Sequence, residues 1–379
     1  MTVAIGDGAG APSSLDDGSN VLAALSDVAR DVGSVRLVLG WLPTPAVGLD
    51  PEAFAEVVLL TSNGGAREVL KAKTARFVPT RLAAIPALLS GPLHPDVLVC
   101  RLVRRDGRFW FGSEVSFQRA LVDAGVPVLA VLADNTPAAS AEPAIDPDQV
   151  RVLGTSSAGP ARQHREPDPV HEALADAVLA LVPKGARVQY GPGPLGTALL
   201  RRATVPLQID TGLLTDAVVD LDRHGLLMGE PSAAYLVGTE RLYDWADSRP
   251  ILRGIEYTHD LTRLSGGGSF VAVNTAIEID QVGQINAEGM GEKVFGGIGG
   301  HPDYCTAARM NTDGLSIIAV PSTINGRSPL VEHLSRPVTT PAYDVDVIVT
   351  ESGSADLREA DWLQRRALIA ELFGSERTG

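Results

Sequence analysis

Short β-branched runs alternate with helical patterns along nearly the whole chain, and this restricts the fold more than any other feature. "VRLVLG" (35–40), "EVVLLTS" (56–62), "DVLVCRLV" (96–103) and "VPVLAVLA" (126–133) have the composition of strands, with helical patterns over 21–32 and 116–125. Strands joined through helices predict a mostly parallel sheet covered on both faces. Two stretches then lack an apolar period, "NTPAASAEPAIDPDQ" (135–149) and "GTSSAGPARQHREPDP" (154–169), and both read as interdomain connection. A second α/β series starts with "VHEALADAVLALVPKGARVQYGPGPLG" (170–196). It continues through "SFVAVNTAIEID", "SIIAVPST" and "DVDVIVTE" and closes on an amphipathic helix, "EADWLQRRALIAELF". At 379 residues the chain is long enough for well-buried cores. We therefore expect two similar α/β domains, residues 1–165 and 166–379, each a mostly parallel sheet flanked by helices. The opening "MTVAIGDGAGAPSS" lacks the basic start and apolar core of a signal peptide and reads as a loose terminal arm.

Charge narrows the partners. A formal net charge of −14 argues against a nucleic-acid surface, which needs a basic footprint. It leaves room for an anionic small ligand, because local N–H groups and arginines bind phosphate against the global sign. No run reaches the roughly 20 apolar residues of a membrane span. The two cysteines, Cys100 and Cys305, give no disulfide framework, so a reducing cytoplasm is expected. No metal site is expected.

Four segments carry candidate chemistry. "YGPGPLGTALL" (190–200) sets glycines between a strand and a helix start, where backbone N–H groups can approach an anion or a polarised carbonyl; a tight strand-to-helix turn reads equally well. "FGGIGGHPDY" (295–304) holds four glycines within five positions, which costs chain entropy unless close approach is needed. "FVAVNTAIEIDQVGQINAE" (270–288) places Asn274, Glu278 and Asp280 along a strand, and "IIAVPST" with "INGRSP" (317–329) ends a strand in a polar loop. Polar loops at the ends of parallel strands are where α/β ligands sit.

These segments, with "HPDVLVCRLVRRDGRFWFGSEVSF" and "VTTPAYDVDVIVTESGSADLR", resemble the acetyl-CoA hydrolase/transferase family, the branch of class I CoA-transferases that contains 4-hydroxybutyrate CoA-transferase. The motifs run in collinear order from about Val35 to Leu372. The resemblance implies two similar α/β domains, an acyl-CoA thioester held where they meet, and at least a dimer. It implies that the loops holding Gly191 and Gly193, and Gly296, Gly297, Gly299 and Gly300, line the coenzyme A site, with Asn274 as a substrate contact. Coenzyme A is then part of the substrate, and no separate cofactor is expected.

In the family a glutamate attacks the thioester, giving an acyl anhydride and then a glutamyl-CoA thioester. This covalent route divides a difficult acyl transfer into easier steps. That glutamate lies in a strand-to-helix turn ahead of a pattern resembling "SDGVVDL". Here the pattern is "TDAVVDL" (215–221) within "PLQIDTGLLTDAVVDLDRHG" (206–225), and the glutamate's position falls on Gly212. The local pattern predicts a strand to Ile209, a turn over 210–212 and a helix over 213–221. Sliding the alignment by two residues brings in Asp210 but breaks the "VVDL" anchor.

Two residues could take over. Glu114 replaces the glycine of a "SLGVS"-type loop that in the family lies close to the thioester; a solvated or structural loop residue is the bland alternative. His301 stands where the family commonly carries Gln and could activate water, or simply hold the substrate. Asp303 is expected to orient its loop, and His259 and Glu278 to be structural or substrate-contacting.

The resulting expectation is a cytoplasmic acyl-CoA-processing enzyme, a hydrolase ahead of a CoA-transferase, with a non-catalytic acyl-CoA binder as a further alternative. Glu114 is the expected general base, His301 its helper, and the glycine N–H groups the donors to coenzyme A and the oxyanion. A dinucleotide oxidoreductase fits less well. "GPGPLG" (191–196) matches G-x-G-x-x-G with Asp210, Asp216 and Asp220 downstream, but it begins mid-chain and has Pro at two variable positions.

Overall fold

The computed structural model describes residues 1–8, 12, 14–62, 64–160 and 166–374. The chain forms two compact units, one of Met1–Gln163 with Ser232–Thr258, the other of His164–Pro231 with His259–Gly379. A single division at 165/166 falls at the edge of residues 161–165, outside the described residues. It also assigns Ser232–Thr258 to the second domain, whereas these residues pack into the first unit.

The first unit is built on a sheet in the order Ala75–Phe77, Glu56–Leu59, Arg36–Leu39, Thr2–Ile5, Val97–Arg105, Val128–Leu132, Val150–Thr155, all parallel along that path. Arg108–Trp110 adds antiparallel to Val97–Arg105. Thr2–Ile5 is therefore a central strand and not a loose arm. Val3 pairs with Leu37 on one side and with Val97 on the other, and Val3, Ala4 and Ile5 are buried. Four residues are too few to show a period, and both partner strands come later in the chain.

Helix Val21–Val32 matches its sequence signal. The Asn20 side chain accepts from the Ala23 N–H, and Gly33 ends the helix at φ 74°. Its buried face, Val21, Leu22, Ser26 and Ala29, covers Val3, Ile5, Leu37, Leu39, Val57 and Leu59.

The stretch 135–149 is not an interdomain connection. It joins Val128–Leu132 to its sheet neighbour Val150–Thr155 and is held by the inserted segment: Ala138 N–H donates to Asp247 Oδ1 and Leu252 N–H to Ala139 O. Backbone pairing with a distant segment, not an apolar period, orders it.

The second unit carries a sheet in the order Gln208–Ile209, Arg187–Tyr190, Phe270–Asn274, Leu315–Ala319, Val347–Thr350, Gly353–Asp356. Only its last pair is antiparallel. Helices Pro169–Leu179, Pro194–Arg202, Ala217–Arg223, His301–Met310 and Trp362–Leu372 accompany it. Ile279, Ile285, Cys305, Ile318, Ile348, Leu357 and Ile369 form one of its cores. The helix expected from Leu213 starts at Ala217 instead, because Leu213–Leu214 is extended and the Thr215 N–H turns to the Tyr190 hydroxyl. Among the described residues no helix is long and apolar enough to cross a membrane.

Candidate active site

Each sheet reverses its winding once, and ligands in open α/β sheets sit at the carboxyl ends of the strands on either side of that reversal. In the first unit the reversal lies between Thr2–Ile5 and Val97–Arg105. The chain leaves Ile5 through Gly6, Asp7 and Gly8. Asp7 is 1% exposed, and its carboxylate accepts from the Trp41 N–H, from Ser116 Oγ at 2.6 Å and from the Tyr235 hydroxyl at 2.6 Å. Burial pushes the Asp7 carboxyl above its ordinary value, opposed by the bonds from Ser116, Tyr235 and Trp41.

This network fixes the loop that carries Glu114. Ser116 sits at φ 50°, a left-handed conformation that a non-glycine residue keeps only when its surroundings impose it. Here its hydroxyl is tied to Asp7 and lies 2.7 Å from that of Tyr235. Glu114 itself is 2% exposed, bridges Tyr235 through the backbone, and accepts from Ser113 Oγ at Oε2. A Cβ on Gly8 would lie 2.9 Å from the Tyr235 ring and 3.2 Å from Glu114 Cβ, so that backbone passes directly against both side chains. Glu114 is thus a buried carboxylate at the sheet reversal, not a solvated loop residue.

In the second unit the reversal lies between Arg187–Tyr190 and Phe270–Asn274, and a cavity of about 110 Å³ opens there. Gly191, Gly193, Gly196, Asn274, Thr275, Ala319 and Pro321 are among its lining residues. The glycines differ in purpose. A Cβ on Gly196 would fall 2.0 Å from Gly191 O, so that position is glycine for packing, whereas Gly191 and Gly193 have nothing within 4 Å of where a Cβ would stand. Gly193 also caps helix Pro194–Arg202, whose first N–H groups have no side-chain cap. Asn274 donates from Nδ2 to Gln189 Oε1 at 2.9 Å. Gly296, Gly297, Gly299 and Gly300 do not line this cavity; they precede helix His301–Met310.

Gly212 lies in the turn after Gln208–Ile209 and does not have a positive φ, so its backbone admits other residues. Its Cβ position is 3.3 Å from the Tyr304 hydroxyl and 3.4 Å from His259 Nε2. Tyr304 is 3% exposed and its hydroxyl has no hydrogen-bond partner among the described residues; burial, Asp210 and Asp303 hold it well above the ordinary phenol range, so it is a neutral donor. The His259 and Tyr304 rings pack 4.7 Å apart, and burial together with Arg263 lowers His259 to about 3. Asp210 is engaged elsewhere. Its two oxygens accept from Arg263 Nη2 and Nη1 at 2.8 and 2.7 Å, and Arg187 adds an ion pair at 3.7 Å.

His301 starts its helix with both ring nitrogens occupied. Nε2 donates to Thr275 O at 3.0 Å and Nδ1 accepts from Thr340 Oγ1 at 2.7 Å. Burial lowers its pKa to about 4. A neutral ring bonded at both nitrogens positions a loop better than it moves a proton. Glu278 likewise accepts from Asn286 Nδ2 and from Ser335 N and Oγ, which ties two loops together. Asp303 is buried in the first turn of its helix.

Asp7, Tyr235, Ser116 and the Arg263 partner of Asp210 escape sequence reasoning. Asp7 meets its partners across 109 and 228 residues, and only the glycines around it hint at a site.

Residues 238–372 match the family model described as acetyl-CoA hydrolase/transferase C-terminal domain. It is 25% identical over 339 residues to a butyryl-CoA:acetate CoA-transferase of Anaerostipes caccae, covering 80% of this chain and 75% of the relative. It is 26% identical to a 4-hydroxybutyrate coenzyme A transferase of Clostridium kluyveri, covering 81% and 76%. Among solved structures, RipA from Yersinia pestis superposes with a TM-score of 0.86 at 23% identity over 98% of this chain and 90% of that one, a likeness of fold.

Proposed function

We propose that this chain, whose residues 238–372 match the acetyl-CoA hydrolase/transferase C-terminal domain, is an acyl-CoA-processing enzyme whose main reaction is hydrolysis of an acyl-CoA. The observation that carries the reading is the pair of positions Asp210 and Gly212. The family's attacking glutamate is expected at the position where Gly212 stands, and the carboxylate two residues away is bound to Arg263. No carboxylate is left in that turn to form an acyl anhydride.

Glu114 is the general base in this reading. It takes a proton from water as the hydroxide oxygen adds to the thioester carbonyl; when the tetrahedral adduct collapses, the C–S bond breaks and the CoA sulfur recovers the proton from Glu114. The products are a carboxylic acid and free coenzyme A. Backbone N–H groups around Gly191 and Gly193 receive coenzyme A, and those of Gly297 and Gly299 receive the oxyanion, the Gly296 N–H being donated to Glu288 O. His301 holds the helix start in place.

CoA transfer between carboxylic acids is the second reading, favoured by the names of the two CoA-transferase relatives. Assaying the purified protein against a panel of acyl-CoA esters, with and without acetate or succinate, separates the two. Acid-independent release of free coenzyme A supports hydrolysis. Turnover that requires an acceptor acid, with a coenzyme A adduct on any residue after borohydride trapping, would replace it with transfer.

A further inference from the structure

One buried hydroxyl in the second unit has no partner, and it faces a position that carries no side chain. Tyr304, on helix His301–Met310, is 3% exposed, and among the described residues its hydroxyl bonds to nothing. An unpaired buried hydroxyl destabilises a fold, and phenylalanine would fill the same space without that cost.

The hydroxyl is the atom nearest the Cβ position of Gly212, at 3.3 Å. Among the described residues, nothing outside Gly212 and its chain neighbours comes closer to that point, so an atom-sized opening lies in front of the hydroxyl. The ring itself supports the glycine loop. A Cβ on Gly300 would run into His259 Nε2 and fall 3.0 Å from Tyr304 Cε2, so the loop over 296–300 ends in direct contact with both rings. The turn at Gly212 is also fastened to the end of strand Arg187–Tyr190. There Thr211 Oγ1 donates to Tyr190 O at 3.0 Å, and Tyr190 lines the cavity of the Gly191–Gly196 loop.

A single hydroxyl thus stands between the Gly212 turn and the glycine loop, beside the strand end that opens on the cavity. It is held protonated, so it offers a donor and no charge. A donor kept without a partner in the resting protein suits charge that appears during a reaction, because no bond has to break before it is used.

We propose that the Tyr304 hydroxyl donates to the carbonyl oxygen of the bound acyl group and stabilises the oxyanion formed when that carbonyl is attacked. The proposal rests on the acyl-CoA reading above. Tyr304 keeps its proton throughout. As the water oxygen adds, a carbonyl electron pair moves onto the oxygen and the hydrogen bond strengthens; collapse of the adduct returns the pair as the C–S bond breaks.

Infrared spectroscopy on the full chain reads this hydrogen bond without turnover. The probe is an uncleavable ketone analogue of acetyl-CoA, in which a methylene replaces the thioester sulfur, isotope-labelled at the carbonyl. In the natural sequence the carbonyl stretch should fall in frequency on binding, and Tyr304→Phe should return a measurable part of that shift. The same variant should keep its affinity for free coenzyme A and keep or raise its urea midpoint. Its turnover should fall about a hundredfold to a thousandfold, the usual cost of one oxyanion donor. A merely structural hydroxyl would instead lower the midpoint and leave the carbonyl band in place. Gly212→Ser gives the hydroxyl a resident acceptor, so it should weaken the band shift as well, and it decides the matter if Tyr304→Phe does not fold. A carbonyl band that is the same in the natural sequence and the variants would overturn the proposal, even in a protein that hydrolyses acyl-CoA. A Tyr304-dependent band in a protein that hydrolyses nothing would keep the hydrogen bond and sink the hydrolase.

Discussion

The turn at Gly212 is where we expect the family's glutamate, and its backbone still admits a side chain. Gly212 lacks a positive φ, and the atoms nearest its Cβ position are the Tyr304 hydroxyl and the His259 ring at 3.3–3.5 Å. Gly212→Glu should therefore fold, and gain of acetate-dependent CoA transfer would show that the rest of the site still supports the covalent route. If the variant folds and transfers nothing, the site has diverged beyond this residue. Glu114→Gln keeps the volume of the side chain and removes its basicity. Steady-state turnover should fall about a hundredfold to ten-thousandfold, roughly 3 to 5 kcal/mol of barrier, with acyl-CoA affinity held. His301→Asn should cost less, because the ring is neutral and bonded at both nitrogens; the reverse ranking would hand the base to His301. Gly212 and Glu114 stand out in the sequence only through the family resemblance, as expected departures from its pattern. Asp7 and Tyr304 do not stand out, since an aspartate in a glycine-rich opening and a tyrosine on a helix acquire meaning only from neighbours far along the chain.

At the scale of elements, the long strands and the helix Val21–Val32 were legible because composition and period extend over several residues and the caps are explicit. Thr2–Ile5 and the late start of Ala217–Arg223 were not, because four residues carry no period and apolar Leu213 and Leu214 mimic a first helical turn. The loop Gly191–Gly196 tests how glycines divide between packing and ligand approach. Gly193→Val meets empty space and should leave the melting temperature nearly unchanged while weakening coenzyme A in calorimetry. Gly196→Ala drives a methyl to within 2.0 Å of Gly191 O and should destabilise by roughly 1 to 3 kcal/mol in a urea titration. Unchanged coenzyme A affinity in Gly193→Val would move the ligand away from this loop.

For the whole molecule, pH acts through histidines that folding keeps neutral. His259, 2% exposed, falls to about 3 in the fold against an ordinary value near 6.5. Between those values the unfolded chain binds the proton and the folded chain does not, so the stability contributed above pH 6.5 is lost as the pH falls. Lowering the pH from 7 to 5 should cost about 2 kcal/mol from His259 alone, read as a lower urea midpoint. His259→Gln should flatten that slope, and an equally steep loss in the variant would assign it to other groups. The two-unit plan was readable from the alternation of strands and helices, but its interleaving was not, because nothing in Ser232–Thr258 marks it as belonging with residues before 163. That interleaving also sets a timetable for synthesis. The ribosome releases the strand Thr2–Ile5 first, yet Asp7 obtains the Tyr235 hydroxyl only after His164–Pro231, which belongs to the other unit, has emerged. The half made first therefore waits on the other, with a carboxylate meant for burial still in water, and a pause in translation between residues 164 and 231 would lengthen its exposure to chaperones and proteases.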